Sequence, residues 1–215
     1  MTVTIGTGQI NRGTMAGDFI YQISLNENNK IFVEIGSWNG RGSTQCVMSA
    51  LINRFDDCVM YSLEADRYFY ESGRDYWKRR LQNYSSVIKD RLKLIHGRII
   101  EASEMLPIEE IMKDPLAKPE WPQFYANDLK NFKTCNNVEH LLPETIDVLI
   151  LDGGEFTTDI EYQKLKDRSR IIICDDSRTY KCAKIRKELL EDSDFITLID
   201  EQGYRNGFCA FERAS

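Results

Sequence analysis

Acidic side chains follow several of the apolar, β-rich runs of this 215-residue chain, at the point where each run ends. Asp152 closes one run, and the pair Asp175 and Asp176 closes another. Because the carboxyl ends of parallel strands meet at one edge of a sheet, we expect these side chains to converge. Three converging carboxylates repel one another unless a cation neutralises them, and hard oxygen ligands suit Mg²⁺, Mn²⁺ or Ca²⁺. The sequence therefore predicts a metal site here, although a strand-end turn with a helix cap is an alternative for Asp175 and Asp176.

A glycine-rich loop follows the first apolar run. It reads Glu34-Ile35-Gly36-Ser37-Trp38-Asn39-Gly40-Arg41-Gly42-Ser43. Glycines let the backbone turn sharply and let a ligand approach closely, and a helix starting after them offers free N–H groups. The spacing differs from the G-x-G-x-x-G of dinucleotide sites. Glu34 would also repel a pyrophosphate, whereas it suits a ligand that carries ammonium and sulfonium groups. A plain glycine turn with a surface glutamate is the alternative.

A second acidic residue stands where a nucleoside-binding site needs one. Glu64 ends the next apolar run, and an acid about 20 residues beyond such a loop accepts hydrogen bonds from ribose hydroxyls. Asp66 is interpreted as the N-cap of the following helix. Trp38 either packs against the ligand or fills the junction between strand and helix.

The elements that position these residues alternate between short β-rich runs and helical stretches, which is typical of an α/β fold. We predict a Rossmann-like, seven-stranded doubly wound sheet, mostly parallel, with helices on both faces and a C-terminal antiparallel hairpin. Strands are expected at about 30–35, 58–63, 92–96, 146–151, 170–174, 195–199 and 207–212. Helices are expected at about 17–26, 43–55, 68–83 and 179–191, with only a short loop between the fourth and fifth strands.

The segment 107–144 interrupts this alternation. It is rich in proline and carries several aromatic residues, including Trp121 and Phe132. A connection this long within a domain is usually a lid, a binding loop or a disordered insert, and the aromatic content favours an ordered lid or substrate insert. We therefore expect residues 1–215 to form one domain with this insert. Residues 5–10 are either a second cover over the site or a disordered terminus.

Composition excludes several classes. The net charge is −6, so a nucleic-acid partner is not expected. No run is long and apolar enough for a membrane span, and the N-terminus lacks the apolar core of a signal peptide. Six cysteines without a CxxC pair, beside two histidines, indicate buried free thiols rather than structural zinc, which suggests a cytoplasmic location. The basic residues of two helices are interpreted as solvated faces: Lys78, Arg79, Arg80, Lys181, Lys184, Arg186 and Lys187.

The loop that begins at Glu34 resembles motif I of the class I S-adenosylmethionine-dependent methyltransferases. The acids after the fourth and fifth strands narrow the resemblance to metal-dependent O-methyltransferases, such as catechol O-methyltransferase and the macrocin-type sugar O-methyltransferases. The resemblance covers about 30–191, apart from the insert. It implies S-adenosylmethionine as cofactor, bound by Glu34, Gly36, Ser37, Trp38, Gly40, Ser43, Glu64, Ala65, Gly97, Arg98 and Asp152.

The same resemblance implies a mechanism. Asp152, Asp175 and Asp176 would hold Mg²⁺ or Mn²⁺, which chelates two neighbouring substrate oxygens and lowers a hydroxyl pKa. Glu155, with Asp152, is the expected catalytic residue, since it stands where the catechol enzymes place a lysine base. Gly154 departs from the sugar enzymes, which usually carry a second acid there.

The expected function is metal-assisted O-methylation of a sugar or glycan hydroxyl. A catechol-like small-molecule acceptor, a nucleotide-dependent oxidoreductase and a non-catalytic cofactor-binding module stay open. A homodimer is also left open.

Overall fold

Seven strands form one mixed sheet in the computed structural model, which describes residues 9–214. They are β1 (Ile31–Ile35), β2 (Val59–Glu64), β3 (Leu92–His96), β4 (Ile146–Leu151), β5 (Ser169–Asp175), β6 (Phe195–Glu201) and β7 (Phe208–Arg213). Their order is β3-β2-β1-β4-β5-β7-β6. The first five are parallel, while β7 pairs antiparallel with both β5 and β6. This confirms the predicted Rossmann-like sheet and its C-terminal hairpin.

Helices cover both faces of the sheet. They are α1 (Met15–Leu25), α2 (Ser43–Leu51), α3 (Arg67–Arg80), α4 (Ser86–Asp90), α5 (Ile108–Ile111), α6 (Trp121–Thr134), α7 (Thr158–Leu165) and α8 (Ala183–Glu191). Side chains alternate between faces along each strand. Thus Val33 faces the core under α6, α7 and α8, whereas Phe32 faces the core under α1 and α2.

Two helix ends show how local sequence sets the boundaries. Asp66 caps α3 as predicted, because its side chain accepts hydrogen bonds from the N–H groups of Tyr68 and Phe69. Helix α2 ends at Leu51, and the prediction that it extends to Phe55 is wrong, since Phe55 is 99% exposed. Beyond the helix end, the buried Arg54 guanidinium donates to the carbonyls of Ser24 and Asn29 and ties this turn to the end of α1.

The insert at 107–144 is ordered and packs into the core. Its helix α6 buries Trp121 and Phe132, which are 2% and 6% exposed. The Trp121 ring contacts Phe156 and Tyr180, at centroid distances of 5.6 and 5.3 Å. The insert therefore forms a fixed wall beside the sheet, and its action as a lid stays a prediction.

The predicted short loop between β4 and β5 is wrong, because this connection contains α7 and a turn of 3₁₀-helix. Tyr162 and Leu165 supply a buried face, but neighbouring charged residues hide the helical period.

The six cysteines are buried and unpaired, as expected. Among residues 9–214, no helix has the length and apolar character that crossing a membrane requires. In the segment 5–10, residues 5–8 lie outside the described range, and Ile10 is buried against α1 and α2.

Candidate functional site

The loop after β1 is held tightly against the neighbouring strands. The N–H groups of Gly36 and Ser37 both donate to Leu63 O, at 3.0 and 2.9 Å, and Asp152 N donates to Ile35 O at 2.9 Å. Gly36 has φ +85°, and an added Cβ would lie against the Asp152 carbonyl and 2.6 Å from Gly153 Cα. Only glycine fits there, so the backbone comes close to whatever occupies the space in front of it.

Glu64 is fixed at the end of β2 and lies beside this loop. Its Oε2 accepts from Trp38 N at 2.7 Å, and its Oε1 accepts from Asp66 N at 2.8 Å. Burial outweighs these two donors and raises the pKa of Glu64 to about 8. Each carboxylate oxygen accepts one of these bonds and can accept another, and a ligand that donates to it favours the charged form of Glu64.

A cavity of about 400 Å³ opens at the carboxyl ends of β1, β2 and β4, which is the usual ligand site of such sheets. We call it the donor cavity. Of the predicted cofactor residues, it is lined by Gly36, Trp38, Glu64, Ala65, Gly97, Arg98 and Asp152. The lining residues that directly follow the ends of β1, β2 and β4 were therefore predicted from the sequence.

Helices α6 and α7 close the opposite side of the donor cavity. They contribute Asn127, Asp128, Asn131 and Glu161, which sequence reasoning missed. Burial raises the pKa of Asp128 to about 6 and that of Glu161 to about 7. No local motif marks these residues, because only the packing of the insert brings α6 to the sheet edge.

The donor cavity is strongly acidic. Its lining carboxyl groups belong to Glu64, Asp66, Asp128, Asp152 and Glu161. Arg98 is the cation in this lining, and its guanidinium is paired with Glu101 at 2.6 Å. Burial keeps several of these groups partly protonated near neutral pH, and a ligand with positive charge favours their ionised forms, whereas a pyrophosphate does not.

A second cavity of about 510 Å³ lies on the other side of Trp38 and Asp152, which line both. We call it the acceptor cavity. It is lined by Gln9, Ile10, Ser37, Trp38, Gly42, Ser43, Asp152, Asp175, Asp176 and Arg205. Trp38 has φ 48° and its N–H donates to Glu64, so its backbone is held at the boundary of the two cavities, both of which it lines.

Asp152, Asp175 and Asp176 form an acidic triad, as predicted, with one oxygen of each within 4.8 Å of the others. A lysine lies among them, since Lys181 Nζ is 2.8 Å from Asp152 Oδ1 and 3.0 Å from Asp176 Oδ2. The Lys181 side chain is only 5% exposed, so its interpretation as part of a solvated helix face is wrong. Arg205 approaches Asp175 and Asp176 at 3.6 and 3.7 Å.

These neighbours set the protonation of the triad. Burial raises the pKa of Asp175 to about 7, with Asp152 adding to the effect. Burial acts in the same direction on Asp176, but the Lys181 ammonium, Asn206 and Arg205 together outweigh it and leave the Asp176 pKa below its usual value. Burial alone would lower the Lys181 pKa, yet Asp152 and Asp176 raise it well above the ordinary value.

The triad has the ligand type that Mg²⁺ prefers, but its arrangement does not fit the expected metal. Mg²⁺ needs oxygens at about 2.0–2.1 Å in octahedral geometry. The Lys181 ammonium already lies within hydrogen-bond distance of two of the three carboxylates and would share that space. The residues present thus supply their own cation where Mg²⁺ or Mn²⁺ was predicted.

Three predicted site residues line neither cavity. Glu34 is fully buried behind the loop, where its Oε2 accepts from Thr44 Oγ1 at 2.6 Å and from Ser62 Oγ at 2.5 Å. Burial raises its pKa to about 7. Gly40 instead makes room for Trp77, whose Nε1 donates to Gly40 O at 2.9 Å. Both residues support the loop from behind, and their contact with a cofactor stays a prediction.

Glu155 is the third of these residues. Its Oε1 accepts from Lys181 N at 3.3 Å, so the carboxylate helps to fix the turn that carries the lysine. It is not among the described residues that line either cavity, and its role as a catalytic base stays a prediction.

Comparison with known proteins gives matches at the level of structure alone. No family model and no curated protein matches the sequence. A methyltransferase from Geobacter sulfurreducens is similar with a TM-score of 0.58 and 17% identity, covering 96% of this chain and 80% of that one. The O-methyltransferase from Bacillus cereus in complex with SAH has a TM-score of 0.59 and 14% identity, covering 96% and 84%.

A third similar structure is the O-methyltransferase TomG from Streptomyces achromogenes, in complex with SAM. It has a TM-score of 0.55 and 15% identity, covering 93% of this chain and 79% of that one. At these identities the likeness establishes the fold and nothing finer. The chain has the fold of the class I S-adenosylmethionine-dependent methyltransferases, as the resemblance of its loop and strand-end acids implied.

Proposed function

We propose that this chain is an S-adenosylmethionine-dependent methyltransferase that methylates a hydroxyl oxygen. The acidic donor cavity beside the Gly36 loop carries this proposal. S-adenosylmethionine brings a sulfonium and an ammonium against a single carboxylate, so its net charge suits such a wall. NAD brings a pyrophosphate, which the same wall disfavours. The fold shared with methyltransferases that bind SAM or SAH supports the choice.

Within the donor cavity, Glu64 is the ribose ligand and Gly97 and Arg98 lie on the side of the adenine. The methionine end then runs past Gly36 toward Trp38 and Asp152. Because these two residues line both cavities, a methyl group at this point faces the acceptor cavity. The arrangement supports transfer from one cavity into the other.

The acceptor we propose is a sugar or glycan with neighbouring hydroxyls. Carboxylates accept hydrogen bonds only, and hydroxyls donate them. Asp152, Asp175 and Asp176 present such acceptors along the acceptor cavity, beside the guanidinium donors of Arg205. A catechol-like phenol offers the same pair of hydroxyls and is the second candidate.

In the proposed reaction the acceptor oxygen attacks the methyl carbon in line with the departing sulfur. The C–S electron pair returns to sulfur, which becomes the neutral thioether of S-adenosylhomocysteine (SAH), while the oxygen gains the methyl group. The hydroxyl proton passes to Asp152, which touches both cavities, and then to solvent. Holding oxygen and methyl at attack distance supplies most of the acceleration.

Thermal unfolding with SAH or with NAD tests the cofactor. A ligand at a hundred times its dissociation constant stabilises the protein by about 2.7 kcal/mol. We expect SAH to raise Tm and NAD to leave it unchanged. Stabilisation by NAD alone would refute the proposal.

Mass spectrometry of acceptor libraries, after incubation with labelled methyl donor, then tests the chemistry. A mass gain of one methyl on sugars or phenols supports the proposed transfer. Binding of SAH without transfer to any acceptor would instead indicate a non-catalytic cofactor-binding module.

A further inference from the structure

The Lys181 ammonium lies between two carboxylates of the acidic triad. Its Nζ lies 2.8 Å from Asp152 Oδ1 and 3.0 Å from Asp176 Oδ2. The third member, Asp175, lies 3.6 Å from Arg205 Nη1, so each carboxylate has a cationic neighbour from the chain itself. Two cations of the chain, Lys181 and Arg205, thus offset much of the charge of the three carboxylates.

Lys181 is not a loose surface group, because its side chain is only 5% exposed and hydrogen bonds hold the turn that carries it. The turn after β5 is closed by Thr179 N and Thr179 Oγ1, which donate to Asp176 O at 2.9 and 3.1 Å. Lys181 N donates to Glu155 Oε1, and Cys182 N donates to Thr179 O. Because α8 begins only at Ala183, Lys181 belongs to this turn and its side chain extends inward to the triad.

A divalent ion and this ammonium compete for the same carboxylates. An ion bound at 2.0–2.1 Å from Asp152 and Asp176 would lie within a few ångströms of Nζ. Like charges at that separation repel, and water screens the Lys181 side chain little because it is only 5% exposed. Metal binding would thus require Lys181 to leave a buried position where it makes two ion pairs.

We propose that the Lys181 ammonium takes the place of a divalent metal at the acidic triad, and that methyl transfer by this chain is metal-independent. The second half of this statement rests on the proposed function, whereas the first half concerns the triad alone. Lys181 acts through Asp152 and Asp176, which it holds at the edge of the acceptor cavity, and is therefore a positioning residue.

The test is a titration of the SAH-saturated protein with Mn²⁺, with free Mn²⁺ followed by electron paramagnetic resonance. We expect the unmodified protein to show no binding that is lost in Asp176→Asn. We expect Lys181→Met to bind Mn²⁺ at least about a hundredfold more tightly, because a nearby positive charge is gone. Adding Asp176→Asn to Lys181→Met should abolish this gained site.

Lys187→Met is the matched control, because this lysine lies on α8 with its side chain 75% exposed. It should leave Mn²⁺ binding as in the unmodified protein. Mn²⁺ binding by the unmodified protein that Asp176→Asn removes would overturn the proposal. So would a folded Lys181→Met variant that gains no Mn²⁺ site. If Lys181→Met does not fold, the titration of the unmodified protein and of Asp176→Asn decides alone.

Methyl transfer with and without EDTA completes the test. We expect equal rates, and loss of the rate in EDTA with recovery on adding Mg²⁺ would contradict metal independence. If the protein neither binds SAH nor transfers a methyl group, the proposed function is refuted. The Mn²⁺ titration still decides the role of Lys181 in that case. The two failures are therefore distinguishable.

Discussion

Replacing Glu64 with alanine tests the central contact of the donor cavity. Its carboxylate accepts the N–H groups of Trp38 and Asp66, which fix it at the end of β2. A ribose hydroxyl bonded to this charged acceptor contributes about 1.5–3 kcal/mol. At about 1.4 kcal/mol for each factor of ten, Glu64→Ala should weaken SAH binding about ten- to a hundredfold.

Isothermal titration calorimetry with SAH measures this effect directly. Glu71→Ala is the control, since this glutamate lies on α3 with its side chain 44% exposed and pairs only with Arg67 among the described ion pairs. It should leave the affinity unchanged. Glu64→Gln should fall between the two, because the amide keeps one acceptor oxygen but loses the charge. An unchanged dissociation constant for a folded Glu64→Ala variant would refute the role of Glu64 as ribose ligand.

Three further predictions concern the scaffold. Gly36→Ala should abolish SAH binding or folding, as judged by calorimetry and circular dichroism, whereas Gly203→Ala, with no atom near its added Cβ, should do neither. Trp121→Ala should lower the free energy of unfolding in urea by about 3–5 kcal/mol, and the same loss from Leu116→Ala, at a 43% exposed site, would contradict the argument from burial. The folded state raises the pKa of Glu64 to about 8, above its ordinary value near 4.5, so it binds protons that the unfolded chain has released. Stability without ligand should therefore fall as pH rises from about 5 to 8. The other buried carboxyl groups with raised pKa contribute to this slope, so Glu64→Gln should make it smaller without removing it, and an unchanged slope would refute the raised pKa of Glu64.

The sheet and the strand-end side of the site could be predicted because they depend on local sequence. The Gly36 loop, Glu64 and Asp152 each follow directly from an apolar run that ends at the sheet edge. The register of parallel pairing then brings them together, for example Ile35 beside both Leu63 and Leu151. These signals are local in sequence, and the parallel arrangement of the strands brings the residues to the same sheet edge.

The other side of the site could not be predicted, because it depends on packing between distant segments. Asp128 reaches the donor cavity only through the docking of α6, which Trp121 anchors against Phe156. Lys181 reads as one more charge in a basic stretch, since nothing local shows that α8 starts two residues later. A shift of the helix start from about 179 to Ala183 is within the usual error of boundaries predicted from sequence, yet here it separates a solvated lysine from a buried one.

The six buried thiols make local opening of the structure measurable, because each can react only when it becomes exposed. Contact with Cys182 and Cys209, together with burial, raises the pKa of the Cys174 thiol well above its ordinary value. Thiols that are enclosed and protonated react slowly with alkylating reagents, so alkylation requires the surrounding structure to open first. Because Cys46 lies under α2 on one face of the sheet and Cys182 lies next to α8 on the other, the modification rates of the two halves can be compared without introducing a probe.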